Sequence, residues 1–393
     1  MAGSDMVYLD HNANSPLRAC ARSAMDDALG VCGNASSVHA AGRSARSKIE
    51  TAREQVARLV DTPAANVVFT SGGTEANALA LRGMVAGALA AEDRITRLFV
   101  CATEHDSVRA NAAALAETVP GLKLNEIPVT ADGTIDLAAF RLGLMQGKGR
   151  ALVCVMAANN ETGVLHDIAA IAKLVKAEAG EDALFHVDAV QAAGRIGVSF
   201  NASGADSMSL SAHKIGGPQG AGALIVKEDV PFAPLIAGGG QESRRRAGTE
   251  NVAAIAGFGA AAHEAMNFLP EGARLKVLRD RFERALKSLA PDTVIFGANV
   301  ARLPNTTNFS IPGLAAETAL IALDLDGVAV SSGAACSSGT VKPSHVLSAM
   351  GVEESLARGG IRVSFGWNSR EDDVDAAIAG LRNLVARRAC LAA

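Results

Sequence analysis

Between Asn66 and Val226 the chain carries seven short strand-like runs, most of them separated by stretches with helical spacing: Asn66–Thr70, Leu98–Cys101, Leu122–Ile127, Ala151–Met156, Leu184–Val187, Ser207–Leu210 and Ala221–Val226. Strands separated by helices imply a mostly parallel sheet covered on both faces. The expected fold is α/β, with a seven-stranded sheet flanked by helices. The last two runs have no helix between them and are expected to pair antiparallel.

The flanks of this region read differently. Leu17 to Leu29 is expected to be helical, and a longer helix from about Val38 places Ile49, Ala52, Val56 and Leu59 on one face. An Ala-rich helix is expected from near Glu250. From about Phe268 the texture changes to a charged amphipathic helix with Leu275, Leu278, Phe282 and Leu289, strands near Val294, near Asn308 and over Ile361–Phe365, and a last helix from Glu371. This reads as a smaller α+β domain. A chain of 393 residues with 49% hydrophobic content is long enough for both. The expected division is a large domain over 15–262 and a small one from 1–14 and 263–393.

Net charge is −4 and only 4% of residues are aromatic, which excludes a basic, base-stacking nucleic-acid surface. The N-terminal residues are too polar for a signal peptide and no apolar run is expected to span a membrane, so a cytoplasmic location is expected. The cysteines stand at 20, 32, 101, 154, 336 and 390, without a Cys-x-x-Cys pair or a histidine cluster, which argues against a disulfide framework or a zinc site. Cys101 and Cys154 sit in apolar runs and are expected to be buried. Cys336 stands instead in Ser331-Ser-Gly-Ala-Ala-Cys-Ser-Ser-Gly339, a small-residue stretch without periodicity, of the kind an exposed loop has.

Three features suggest a shared chemistry. The turn Ser71-Gly-Gly-Thr-Glu75 opens a helix and offers free amides, a hydroxyl and the positive end of a helix dipole, which suit a phosphate. Asp188 ends an apolar run. Lys214 follows another, among small residues that would desolvate its ammonium and favour the nucleophilic neutral amine. Singly, each has a plain alternative: a turn, a helix cap, a surface lysine. Together a phosphate cradle, a carboxylate and a lysine after three strands are what a pyridoxal phosphate site requires, and open α/β sheets gather ligands at the carboxyl ends of their strands.

In order along nearly the whole chain, Tyr8-Leu-Asp-His-Asn-Ala, Ser71-Gly-Gly-Thr-Glu-Ala-Asn, Thr103-Glu-His, Asn159-Asn-Glu-Thr-Gly, His186-Val-Asp-Ala-Val-Gln, Ser211-Ala-His-Lys, Arg246-Ala-Gly-Thr-Glu-Asn and Ser331-Ser-Gly-Ala-Ala-Cys resemble the cysteine desulfurases of the NifS/IscS type, pyridoxal phosphate enzymes of the aspartate-aminotransferase fold. The resemblance implies that Lys214 forms the Schiff base, that Asp188 pairs with the pyridine nitrogen and that Gly73, Thr74, Ser211 and His213 surround the phosphate. It further implies that His105 stacks on the ring, that Asn160 and Gln191 lie near its hydroxyl and the substrate, and that Arg362 takes the substrate carboxylate. Thr249 would reach the phosphate of a neighbouring subunit in a homodimer. Outside this set, His105 could simply start a helix, Asn160 form a turn and Arg362 an ion pair. Where many relatives read Asn-Ala-Thr-Thr-Pro, this chain has Asn12-Ala-Asn-Ser-Pro16, to which no catalytic role is attached.

By the same resemblance, the loop of about 328–342 is the long cysteine loop of the NifS/IscS group. The implied reaction turns L-cysteine into L-alanine, with Lys214 as proton shuttle, His105 as a second acid/base and Cys336 taking the sulfur as a persulfide. Delivery would be to an acceptor such as an iron–sulfur scaffold protein, without nucleic acid, membrane or metal. The rival readings are a selenocysteine lyase, an aminotransferase on the same fold, and a scaffold without chemistry.

Overall fold

The structure is a computed structural model that describes residues 6–332 and 343–392, the last six of these by backbone alone. The short strand β1 (Val7–Tyr8) comes first, followed by the helices Ala19–Leu29 and Ala40–Leu59. Seven strands then form the large sheet: β2 (Val67–Thr70), β3 (Ile95–Cys101), β4 (Lys123–Ile127), β5 (Arg150–Met156), β6 (Leu184–Asp188), β7 (Ser207–Ser211) and β8 (Gly222–Val226). Their order is β2-β8-β7-β6-β5-β3-β4, with β8 antiparallel to both its neighbours and the other pairings parallel. The antiparallel β7–β8 pair and the mostly parallel seven-stranded sheet follow the sequence expectation.

Alternation within the strands explains the two-sided cover. Phe99, Cys101, Val153, Val155, Phe185 and Val187 pack in one buried cluster with Ala45, Ile49, Ala52 and Val56 from the helix Ala40–Leu59. Leu98, Val100, Leu152 and Cys154 point the other way, into a second cluster with Leu79, Leu81 and Met84 from the helix Gly73–Ala90. Side-chain caps start several of the helices at the expected places: Asp136 accepts from Ala138 and Ala139, Asp167 from Ala170, and Asn251 from Ala254.

The remaining strands are β9 (Val294–Ile295), β10 (Thr306–Ser310), β11 (Val328–Ala329), β12 (Ser331–Ser332) and β13 (Ile361–Ser364). β9, β10, β12 and β13 form a sheet in the order β12-β13-β10-β9, and β1 pairs in parallel with β11. Leu9 joins a third cluster with Leu275, Phe282, Phe309, Ile361, Phe365 and Leu381, so the N-terminal strand packs with residues from the C-terminal third.

One stretch could be mistaken for a membrane span. The run Val252–Leu289 is long and apolar enough, by length and composition, to cross a membrane. In the structure it is two helices, Val252–Phe268 and Gly272–Leu289, broken by the turn Leu269-Pro-Glu271. The first buries Ala254, Ile255, Phe258, Ala261 and Ala262 in the main core, which is why it is so apolar.

Candidate active site

A cavity of about 470 Å³ lies at the carboxyl ends of the central strands and is closed on one side by Ser331, Ser332 and Arg362 of the smaller sheet. Gly73, Thr74, His105, Asn160, Asp188, Gln191, Ser211, His213, Lys214 and Arg362 all line it, so the structure brings together these ten residues singled out from sequence. Thr249 lies in a separate cavity beside Ser71, Arg246 and Glu250. Cys336 lies outside the described residues.

β7 ends at Ser211, and the turn Ala212–Lys214 then carries the lysine inward. Its Nζ donates to the carbonyls of Asn12 at 2.6 Å and Ala13 at 2.7 Å. No carboxylate pairs with it among the described residues. Burial lowers its pKa to about 7, reinforced by Arg195 and Arg362, with Asp10 and Asp188 opposing. A neutral amine is therefore available near neutral pH.

At the end of β6, Asp188 is held from two sides. The Val190 amide donates to Oδ1 at 2.9 Å and Asn77 Nδ2 to Oδ2 at 2.7 Å. Asn77 stands on the helix Gly73–Ala90, and the same amide group bonds His186 Nε2 at 3.0 Å and Ser107 Oγ at 2.8 Å. Burial lowers the His186 pKa to about 3, so that ring is a neutral strut. His105 caps the helix Asp106–Thr118, with Nδ1 accepting from the Ser107 amide at 3.1 Å. That cap leaves Nε2 to carry the ring proton and fixes the ring at the cavity wall. His105 thus starts a helix and lines the cavity at once.

The turn after β2 forms the other end. Glu75 accepts from the Ser71 amide at 2.8 Å and pairs with Arg246 at 2.9 Å, which occupies its carboxylate. The first amides of a helix have no intrahelical partner, so those of Gly73 and Thr74 form an anion-binding end. A Cβ at Gly73 would come within 2.8 Å of Val190 Cγ2, so only glycine lets this backbone approach so closely. The buried Ser211 hydroxyl has no partner among the described residues. His213 Nδ1 contacts Asn14 Oδ1 at 3.1 Å, and burial, then Lys214 and Arg195, lower its pKa to about 4.

On β13, Arg362 sits between Asn308 of β10 and Ser331 of β12. One Nη donates to Asp10 at 2.6 Å and the other to the Asn160 carbonyl at 3.1 Å, while its buried Nε has no partner among the described residues. The Asn160 turn is locked by Asn159, whose Oδ1 accepts from the amides of Glu161 and Thr162. Glu161 in turn accepts from Ser344 Oγ at 2.5 Å, and burial raises its pKa to about 7.

Sequence reading missed Asp10, Asn12, Ala13 and Asn77 as members of the site. Asp10, Asn12 and Ala13 lie inside Tyr8-Leu-Asp-His-Asn-Ala13 and Asn77 ends Ser71-Gly-Gly-Thr-Glu-Ala-Asn77, so the motifs pointed at them, but their task is done partly by main-chain carbonyls. The departure Asn14-Ser15 also touches the site, since Ser15 Oγ donates to the Lys214 carbonyl at 3.1 Å.

Comparisons with known proteins give the family. The sequence matches the aminotransferase class-V family over residues 7–377. An IscS-like cysteine desulfurase of Mycobacterium tuberculosis is 42% identical over 392 residues, covering 99% of each chain. The solved structure of a NifS-like protein from Rickettsia africae is 37% identical with a TM-score of 0.85, covering 96% of this chain and 99% of that one. A structure described as SspA in complex with cysteine is 27% identical with a TM-score of 0.78, covering 91% of this chain and 98% of that one. With end-to-end identity to the first and a shared fold with the others, the chain belongs to the class-V aminotransferases, among the cysteine desulfurases of the NifS/IscS type.

Proposed function

We propose that this chain is a pyridoxal-phosphate-dependent cysteine desulfurase that releases L-alanine from L-cysteine and collects the sulfur on Cys336. The observation that carries the reading is the meeting of Lys214, Asp188 and the amino end of the helix Gly73–Ala90 in one cavity, with Arg362 on its wall. The cofactor fits groups that otherwise lack partners: the Ser211 hydroxyl and the first-turn amides suit its phosphate, and the oriented Asp188 carboxylate suits a protonated ring nitrogen. Bound there, it would supply an aldehyde for amines and a ring that accepts electrons.

The chain's own residues divide the work. Gly73, Thr74, Ser211 and His213 would hold the phosphate, and His105 would meet the ring and serve as a second acid/base. Asn160 and Gln191 would serve the ring hydroxyl, and Arg362 would take the substrate carboxylate through its fork of donors. Lys214 would provide the amine at Nζ, and the same nitrogen would carry the substrate's α-proton. The Cys336 thiolate forms an S–S bond to the substrate sulfur as the substrate's C–S bond breaks. The bonding pair stays with the carbon skeleton, which takes up a proton and leaves as alanine.

The division into a domain of 15–262 and one of 1–14 with 263–393 is kept as part of this reading. So are a cytoplasmic location, a sulfur-acceptor protein such as an iron–sulfur scaffold, and a homodimer in which Thr249 serves the neighbouring subunit's phosphate.

The test is to load the full chain with pyridoxal phosphate, supply L-cysteine, and measure alanine, sulfide and keto acid. Alanine matched by persulfide on Cys336 in the mass spectrum is expected. Cys336→Ser should lose alanine release while keeping the visible absorption of the bound cofactor. Keto acid in place of alanine, or full desulfurase activity in the Ser variant, would sink the reading.

A further inference from the structure

Lys214 also lines a smaller cavity, together with His11, Arg18 and Arg195. Arg195 is the unusual member. It is almost fully buried, and no carboxylate pairs with it among the described residues. Buried guanidinium groups are costly unless paired, so one without a counter-ion calls for another explanation. Its hydrogen bonds all go to neutral oxygens: the carbonyl of Gln191 at 2.9 Å, Oε1 of the same residue, and the His11 carbonyl at 2.9 Å.

These bonds lead directly to the lysine. With Oε1 held by Arg195, the Gln191 amide has one permitted orientation, and its Nε2 donates to the Asn12 carbonyl at 3.0 Å. The same carbonyl accepts from Lys214 Nζ at 2.6 Å. Arg195, Gln191, the Asn12 carbonyl and the Lys214 amine therefore form one chain of contacts. An isolated Gln191 could turn either end of its amide toward the main cavity, whereas a guanidinium, which only donates, leaves no choice.

We propose that Arg195 is a positioning residue of this site: its unpaired buried guanidinium fixes which end of the Gln191 amide faces the cavity and sets the electrostatic field in which Lys214 works. The proposal rests on the reading of Lys214 as the cofactor-binding amine. The charged groups acting on that amine are few. Arg195 and Arg362 disfavour its protonation, Asp10 and Asp188 favour it, and burial is the largest influence. Of the nearby histidines, burial lowers His11 to about 3 and His213 to about 4, so neither contributes charge near neutral pH.

The two roles separate experimentally in Arg195→Met, which removes charge and fork, and Arg195→Lys, which keeps the charge and loses the fork. Titration of the Lys214 amine in the cofactor-free full chain can be followed by NMR after reductive methylation with labelled formaldehyde, the resonance being the one absent from Lys214→Arg. A second readout is the dissociation constant for pyridoxal phosphate.

In Arg195→Met the amine should titrate about one pH unit higher. In Arg195→Lys it should titrate as in the parent, while affinity for pyridoxal phosphate falls about tenfold, because one ammonium cannot span the Gln191 carbonyl, its Oε1 and the His11 carbonyl as the planar fork does and holds the Gln191 amide less firmly. A folded Met variant with unchanged titration overturns the field role. Should the Met variant not fold, the Lys variant decides alone: a shifted amine or an unchanged affinity overturns the proposal. Pyridoxal phosphate binding to the parent that survives loss of Lys214 unaltered would count against the cofactor reading itself, a result distinct from either variant's.

Discussion

Asp10 and Arg362, 352 positions apart, are joined by a 2.6 Å ion pair that brings the first motif of the chain against the last sheet. With the Asn160 carbonyl it fixes both Nη groups of the arginine, while Nε stays free of partners among the described residues.

Arg362→Lys keeps the charge but cannot reproduce the fork. We expect kcat/KM for cysteine to fall about a hundredfold, mostly through KM, because two charge-assisted hydrogen bonds become one at most. Steady-state alanine formation checks this, and an unchanged KM would remove Arg362 from carboxylate binding. Asp10→Ala strands the same arginine and should destabilise the fold by about 3 kcal/mol, visible as a lowered thermal midpoint.

Lys214 in the folded chain gives up its proton near pH 7, against an ordinary value of 10.5. Between those values the unfolded chain binds more protons, so the stability contributed through this group rises with pH. Without cofactor, Lys214→Met should therefore be more stable than the parent at pH 7, with the advantage shrinking as pH approaches 10.5. Thermal melts of the cofactor-free protein across that window would show it, and a pH-independent difference would contradict it.

Ser211 presents a buried hydroxyl without a partner among the described residues. Ser211→Ala should leave the cofactor-free protein as stable or more so, because an unsatisfied group is removed, yet weaken pyridoxal phosphate binding about tenfold. Paired melting and fluorescence titrations measure both. Equal affinity would take Ser211 out of the phosphate site.

Asn77 joins Asp188, His186 and Ser107. Asn77→Ala should cost about 2 kcal/mol through the groups it leaves unpaired. Asn77→Asp sets a carboxylate against Asp188 and should weaken cofactor binding more than the alanine does, with partial recovery at acid pH. Cofactor affinity across pH distinguishes the two, and an equal loss in both would argue against charge crowding at Asp188.

The sheet was legible in the sequence because its strands are short, apolar or alternating, and bounded by turns or caps. Where a strand broke that rule, its boundary slipped. β3 begins at Ile95 rather than Leu98, because Arg97 lies inside it, buried by donating to the carbonyls of Leu144 and Gly149. The helix Ala316–Leu325 gave no usable pattern, since Ile321 and Leu325 are exposed while Ala316 and Ala319 are buried. In the site, the turn Ser71–Glu75, Asp188 and Lys214 could be picked out by their chemistry, and the other residues only through the resemblance. The lysine's acceptors could not, because the carbonyls of Asn12 and Ala13 belong to every residue alike.

The single reversed strand of the large sheet has one more effect. Gly222 of β8 lies in register with Thr70 of β2 on one side and Ser211 of β7 on the other, and a Cβ there would strike the Gly72 backbone at 2.5 Å. β2 and β7 therefore point the same way, two ladder spacings or about 10 Å apart. The gauge between the anion-binding turn and the amine is cut by backbone hydrogen bonding, in whole strands. Side-chain changes can retune what the site does with a ligand of this length, but a ligand of another length would need a different sheet.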